Sequence, residues 1–144
     1  MTLDEILDEW KVDAVIDKTC LGDEAMNIPR LHEKYLRMIS KEFPLLKRIE
    51  GDYKALELEK REHYIQGPTK ESQEKGWYVP PIGRVMKNDV QPYLDADIEL
   101  RKKNMEIAYQ NQKVETLKDI LKKIHTRSFD IGHAISYEKF QAGA

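Results

Sequence analysis

Leu100, Ile107, Val114 and Leu121 stand seven residues apart, and Leu117 and Ile124 complete an apolar seam over the second half of that run. A seven-residue repeat keeps one stripe of a helix turned toward a neighbour over many turns, so the pattern demands a long helix paired with another helix. It predicts one helix from about Pro92, a residue suited to the first helical turn, to about Thr126. Gln110 and Lys103 interrupt the first half of the seam, which either packs against a neighbour within the chain or makes looser, wetter contacts.

Upstream, Thr2 and Glu5 have capping-box spacing and precede Leu3, Ile6, Leu7 and Trp10, which predicts a short amphipathic helix over 2–11. From Gly22 to about Ser40, Ala25, Ile28, His32, Tyr35 and Ile39 recur at three- and four-residue steps, a second helix with Pro29 near its start or at a kink. After Pro44 the steps resume at Leu46, Ile49, Tyr53 and Leu56 and run toward Gly67, a third helix weakened at Gly51. Residues 67–92 hold four of the six prolines and three of the seven glycines and lose helical period. They read as a loop, an extended arm or a small hairpin, with Gly76-Trp77-Tyr78-Val79 as a candidate strand. Beyond Arg127, the apolar residues Phe129, Ile131, Ala134, Ile135, Tyr137 and Phe140 suit a short last helix and an oligomer contact.

The fold class is therefore mainly all-α. One domain over 1–144 divides into N-terminal helices (2–66), an irregular insertion (67–92), a long helix (92–126) and a C-terminal oligomerisation tail (127–144). The subunit is a helical hairpin or coiled-coil-like unit carrying a Pro/Gly-rich loop or small hairpin. With 35% charged against 40% apolar residues and a mean hydropathy of -0.69, such a chain suits an elongated form with much exposed surface.

Charge is uneven along the chain. Residues 1–24 carry eight acidic and two basic side chains, and the remainder 22 basic and 18 acidic, so a mildly cationic body follows an acidic start. That split permits nucleic acid on the body and a basic partner on the acidic segment, without requiring either. One cysteine, Cys20, forms no internal disulfide and reads as buried rather than reactive. With no apolar run long enough for a leader or a membrane span, the expected location is cytosolic, with no membrane partner.

Catalytic fingerprints are missing: GxxxxGK[ST], GxSxG, GxGxxG, HExxH and CxxC do not occur. His32, His63, His125 and His133 never pair at ligand spacing, and Asp95-Ala-Asp97 is too small a fragment for a divalent-metal site. The expectation is a non-enzyme with no catalytic residues, metal or cofactor. The chemistry-bearing stretch is the end of the third helix, where Lys54, Lys60, Arg61 and Tyr64 lead into Gly67. Cations neutralise phosphates and an exposed tyrosine stacks on a base, which suits a single strand; Lys47 and Arg48 extend the basic set. Glu57, Glu59 and Glu62 are interleaved, so a helix face laced with ion pairs is the competing reading.

Several stretches in fixed order carry a resemblance: Leu21-Gly-Asp-Glu-Ala-Met-Asn-Ile, Leu46-Lys-Arg-Ile-Glu, Lys60-Arg-Glu-His-Tyr-Ile-Gln-Gly67, Asp89-Val-Gln-Pro-Tyr-Leu-Asp-Ala-Asp97, Arg127-Ser-Phe-Asp-Ile-Gly-His-Ala-Ile135 and Phe140-Gln-Ala-Gly143. From end to end the chain resembles the UvsY family of phage recombination mediators. The resemblance implies a homo-oligomeric ring of about six or seven subunits that binds single-stranded DNA, displaces the phage single-stranded DNA-binding protein and loads a RecA-like (UvsX-like) phage recombinase, in the cytoplasm of the infected bacterial host. In the family a basic pair separated by one residue precedes two aromatics and a glycine. Here Arg61 matches the second basic residue and Tyr64 the first aromatic, Glu59 stands in place of the first basic residue with Lys60 alongside, and Ile65 replaces the second aromatic. The resemblance thus places DNA at Arg61, Lys60 and Tyr64, and the charge pattern adds Lys54, Lys47 and Arg48 to the expected DNA-binding set. The apolar seam and tail supply the expected subunit contacts of such a ring, at Val114, Leu117, Leu121, Ile124, Arg127, Phe129, Ile131, Ile135 and Phe140. The alternative is a structural coiled-coil oligomer or scaffold subunit that binds no DNA; a weaker third reading is a nuclease with Mg²⁺ on Asp95 and Asp97.

Overall fold

The computed structural model describes residues 1–143. Among them the regular elements are all helical: α1 (Leu3–Asp13), α2 (Leu21–Met26), α3 (Ile28–Gln66), α4 (Lys70–Glu74), a 3-10 turn (Lys87–Asp89), α5 (Gln91–Ala96), α6 (Ile98–His125) and α7 (Arg127–Gln141). The expected all-α class is what the structure shows. Contacts divide the chain into two units: Met1–Leu45 with the chain from Gln110 onward, and Leu46–Tyr109.

In the first unit α1 starts at the Thr2/Glu5 capping box, where the Glu5 N–H donates to Thr2 Oγ1 (3.1 Å) and the Thr2 N–H donates to Glu5 Oε2 (3.0 Å). These bonds satisfy two donors that a helix start leaves open. The core joins Ile6 of α1, Leu31 and Tyr35 of α3, and Leu117, Ile120 and Ile124 of α6, with Trp10 set edge-on to Tyr35 at 5.6 Å. The Tyr35 hydroxyl donates to Asp13 Oδ2 (2.8 Å), which also accepts from Lys34 (2.6 Å). Burial pushes the Asp13 carboxyl up, but the hydrogen bonds from Lys34 and Tyr35 hold it below its ordinary value.

The second half of the apolar seam therefore finds its partner inside the chain. Leu117 and Ile124 are buried and Leu121 is half-buried against α1 and α3 of the same chain, and Val114 is buried as well. Gln110, which breaks the apolar repeat, is buried as well, donating from Nε2 to the Glu42 backbone oxygen (2.9 Å) and carboxylate (2.7 Å). Lys113 pairs with the same carboxylate at 2.9 Å, so the interruption is a satisfied polar knot and not a weak point. Arg127 anchors the start of α7: it is buried, donates to the Ala14 and Val15 carbonyls (3.3 and 3.1 Å) and pairs with Glu24 (3.0 Å). Ile131 is buried one turn on, whereas Phe129, Ile135, Tyr137 and Phe140 are exposed.

The second unit is built on the later part of α3. Its core is Tyr64, Val85, Val90, Leu94 and Leu100, flanked by Tyr53, Leu56, Ile65 and Tyr93. Helix α3 ends at Gly67, whose φ of +92° an L side chain rarely adopts. A Cβ there would also stand 2.9 Å from Arg84 Cγ. The Val85 N–H then donates to the Tyr64 carbonyl (2.8 Å), tying the insertion back to the helix end.

Four sequence expectations change. The second and third helices are one element, because α3 runs through Pro44: inward residues on both sides of the proline, Tyr35 and Met38 before it and Tyr53 and Leu56 after it, are each packed in a core, which offsets the missing N–H bond. The long helix starts at Ile98 and not at Pro92, since Asp97 takes an extended backbone (ψ 127°) and its Oδ1 caps α6 by accepting from the Leu100 N–H (3.1 Å). Residues 76–79 form no strand; instead a Thr69/Ser72 capping box opens the short helix α4. Cys20 is half-buried, not buried.

Candidate nucleic-acid interface

The inner row of α3 in the second unit reads Tyr53, Leu56, Lys60, Tyr64, at three- and four-residue steps, so Lys60 occupies a position in an apolar stripe. Its side chain is 3% exposed. The Nζ lies 3.1 Å from Asp97 Oδ2, 3.6 Å from Glu99 Oε1 and 4.2 Å from the centre of the Trp77 ring. Tyr64, also buried, donates its hydroxyl to Asp97 Oδ2 at 2.6 Å. Asp97 thus ties the end of α3 to the start of α6 through two side chains and a helix cap. Burial raises its carboxyl pKa, and the bonds from Tyr64, Leu100 and Lys60 more than offset this and hold it below the usual value. The same burial and the neighbouring Asp97 push the Tyr64 phenol well up.

These contacts correct the placement expected for Lys60 and Tyr64. Lys60 is not a free cation on the outer surface of α3, and Tyr64 is not an exposed ring there; both are buried and paired with Asp97 on the inner face of the second unit. The sequence carried the signal in the three- and four-residue steps to Lys60, which put it on the inner face.

The neighbouring His63 is buried, with Nε2 donating to the Tyr78 carbonyl at 2.7 Å and the ring 5.3 Å from Trp77. It helps hold Trp77 and Tyr78 beside the helix end.

The outer row of the same helix is cationic. Lys47, Lys54 and Arg61 are seven residues apart, which keeps them within about 40° of one another around the helix and spreads them over roughly 21 Å. Lys47 and Lys54 are exposed and Arg61 half-exposed, with Arg48 exposed beside the first. Their ion pairs are of the exposed type, Lys47 with Glu50 at 3.3 Å and Arg61 with Glu57 at 3.5 Å. Such pairs contribute only about 0–1 kcal/mol and yield readily to phosphate. The seven-residue spacing of these cations was the signal that sequence reasoning missed.

Asp95 is exposed on α5, accepting from Gln91 Nε2 (2.8 Å), while Asp97 points inward, so the two carboxylates do not converge as a magnesium site would require. No grouping of three or more His, Cys, Asp or Glu side chains suited to a metal ion occurs among the described residues.

The match with known proteins is decisive. The family model described as "Recombination, repair and ssDNA binding protein UvsY" fits residues 9–144. The chain belongs to the UvsY family. Crystal structures of the bacteriophage T4 recombination mediator protein UvsY share its fold. Lattice type II has a TM-score of 0.80 and 27% identity over 99% of this chain and 98% of that one. Lattice type IV gives 0.77 and 25%, covering 98% and 99%. Lattice type I gives 0.75 and 25%, covering 95% and 98%. No curated protein sequence matches the chain significantly. UvsY-family membership assigns a role in recombination and repair with binding of single-stranded DNA. No helix among the described residues is long and apolar enough to cross a membrane.

Proposed function

We propose that this chain is a recombination mediator in which each subunit offers the Lys47, Lys54 and Arg61 stripe to the phosphates of single-stranded DNA. The supporting observation is the exposed seven-residue row of cations on α3, in a chain of a family described by ssDNA binding. Three cations give a weak site alone. Repeated around a closed homo-oligomer of about six or seven subunits they give a strong one, because each later contact is intramolecular. A strand drawn along such a ring is pulled from the phage single-stranded DNA-binding protein and held extended for a RecA-like recombinase, in the cytoplasm of the infected host. No nucleotide hydrolysis by this subunit enters the scheme. Phosphate contacts carry no sequence information, so binding is indifferent to sequence.

Subunit contacts fall to the exposed face of α7, because the seam residues Val114, Leu117 and Ile124 are already spent on the subunit core. Phe129 (67% exposed) and Phe140 (79% exposed) leave large apolar area in water. Phe129→Asp combined with Phe140→Asp should lower the solution mass to that of a monomer while helix content by circular dichroism stays at the wild-type level. Unchanged mass would place the interface elsewhere.

The DNA assignment is tested by Lys54→Ala with Arg61→Ala. The double variant should keep its melting temperature and oligomer mass and weaken oligo-dT binding. Its slope of log affinity against log salt should fall by about 1 for each phosphate that is no longer neutralised. A wild-type slope in a correctly assembled variant would remove the stripe from the site.

A further inference from the structure

We propose that a cleft beside the Lys60–Asp97 pair is a pocket for a nucleobase of the bound strand, an inference that rests on the single-stranded DNA reading above. The cleft, of about 650 Å³, is lined by the Gly76–Tyr78 segment, by α5 and the start of α6, and by Lys60 and Tyr64 of α3. Pockets for small ligands span about 300–1,000 Å³ and combine apolar or aromatic walls with a few fixed polar groups. Here Trp77 and Tyr78 come from one segment and Tyr93 from another, and the polar atoms are the Lys60 ammonium and the Asp97 and Glu99 carboxylates.

The mixture selects the ligand. Two carboxylates against one ammonium disfavour a phosphate, and a cationic side chain would find both carboxylates already engaged by Lys60. A flat, uncharged ring suits the aromatic walls and needs no ion pair from Lys60 and Asp97, whose side chains are 3% exposed and already paired. Tyr78 at 59% and Ile98 at 68% exposure are large apolar side chains of the lining with area left to cover. Lys60 and Lys75, 4.2 and 4.9 Å from the Trp77 ring centre, fix that ring as part of the site. Arg61, next to Lys60 in the chain, faces outward, so the strand's phosphates can follow the outer row of α3 while a base turns into the cleft. Stacking is available to every base, so the pocket adds affinity without sequence preference.

The test uses the full chain carrying Trp10→Phe, which leaves Trp77 as the one tryptophan. It is titrated with oligo-dT and with an abasic strand of equal phosphate number. The pocket predicts that Trp77 emission changes on binding oligo-dT only, and that the abasic strand binds about tenfold more weakly. Tyr78→Ala, at an exposed position, should weaken oligo-dT binding about tenfold and leave abasic binding unchanged. Equal affinity for the two strands with unaltered Trp77 emission overturns the pocket and leaves the phosphate stripe standing. Absence of binding to either strand overturns the DNA reading and the pocket with it.

Discussion

Asp97→Ala should destabilise the second unit by about 3–5 kcal/mol, the cost of removing one partner from a buried ion pair. The Lys60 side chain, 3% exposed, would be left with Glu99 at 3.6 Å, the more distant and more exposed of its two carboxylates. The Tyr64 hydroxyl would lose its acceptor and α6 its cap, each worth about 1 kcal/mol or more. Asp97→Asn keeps an oxygen for the cap and should cost less. Hydrogen exchange reads the loss locally: amides of α5 and the start of α6 should lose protection. Wild-type protection in Asp97→Ala would show that the pair does not hold the unit together. The pH dependence has a definite sign. The Asp97 carboxyl is held below its ordinary 3.8 in the folded chain, so its stabilisation is present above that value and is lost as pH falls through the lower, folded value. Asp97→Asn should flatten that acid limb without abolishing it, because Asp13 and Glu42 in the first unit are shifted the same way.

Leu117→Asp should unfold the first unit instead of merely dissociating an assembly. Leu117 is fully buried among Ile6, Leu31, Tyr35, Ile120 and Ile124, where an unpaired carboxylate costs several kcal/mol and even Leu→Ala costs about 2–5 kcal/mol. The expected result is loss of helical circular dichroism at ambient temperature, with Leu117→Ala folded but melting well below wild type. A folded, monomeric Leu117→Asp chain would mean that this residue faces another subunit. The contrast with Phe140→Asp, at 79% exposure, separates core from interface within the C-terminal apolar set.

Periodicity told which side of a helix is apolar but not what that side meets. The Leu117–Ile124 seam was legible as a helix–helix contact, yet whether the partner is α3 of the same chain or another subunit depends on where the chain returns, which no local pattern encodes. Pro44 reads as a break because propensity is local, whereas packing on both sides carries α3 through it. Lys60 reads as a surface cation because its type outweighs its position; the inward row from Tyr53 to Tyr64 contained the correction. Asp97 was hidden inside a continuous helical pattern, although an aspartate three residues before Leu100 is the arrangement a cap requires. The Thr2/Glu5 box and the Gly67 stop were legible because both depend on neighbours in sequence.

Whether an assembled protein holds single-stranded DNA through its phosphates is decided by oligo-dT binding across a salt series, with the oligomer mass measured on the same samples. The expected result is a multi-subunit species of constant mass whose affinity for single strands exceeds that for duplex and falls steeply and linearly in log–log form as salt rises. A monomer, or an assembly whose affinity for DNA is negligible or flat between low and moderate salt, would contradict it.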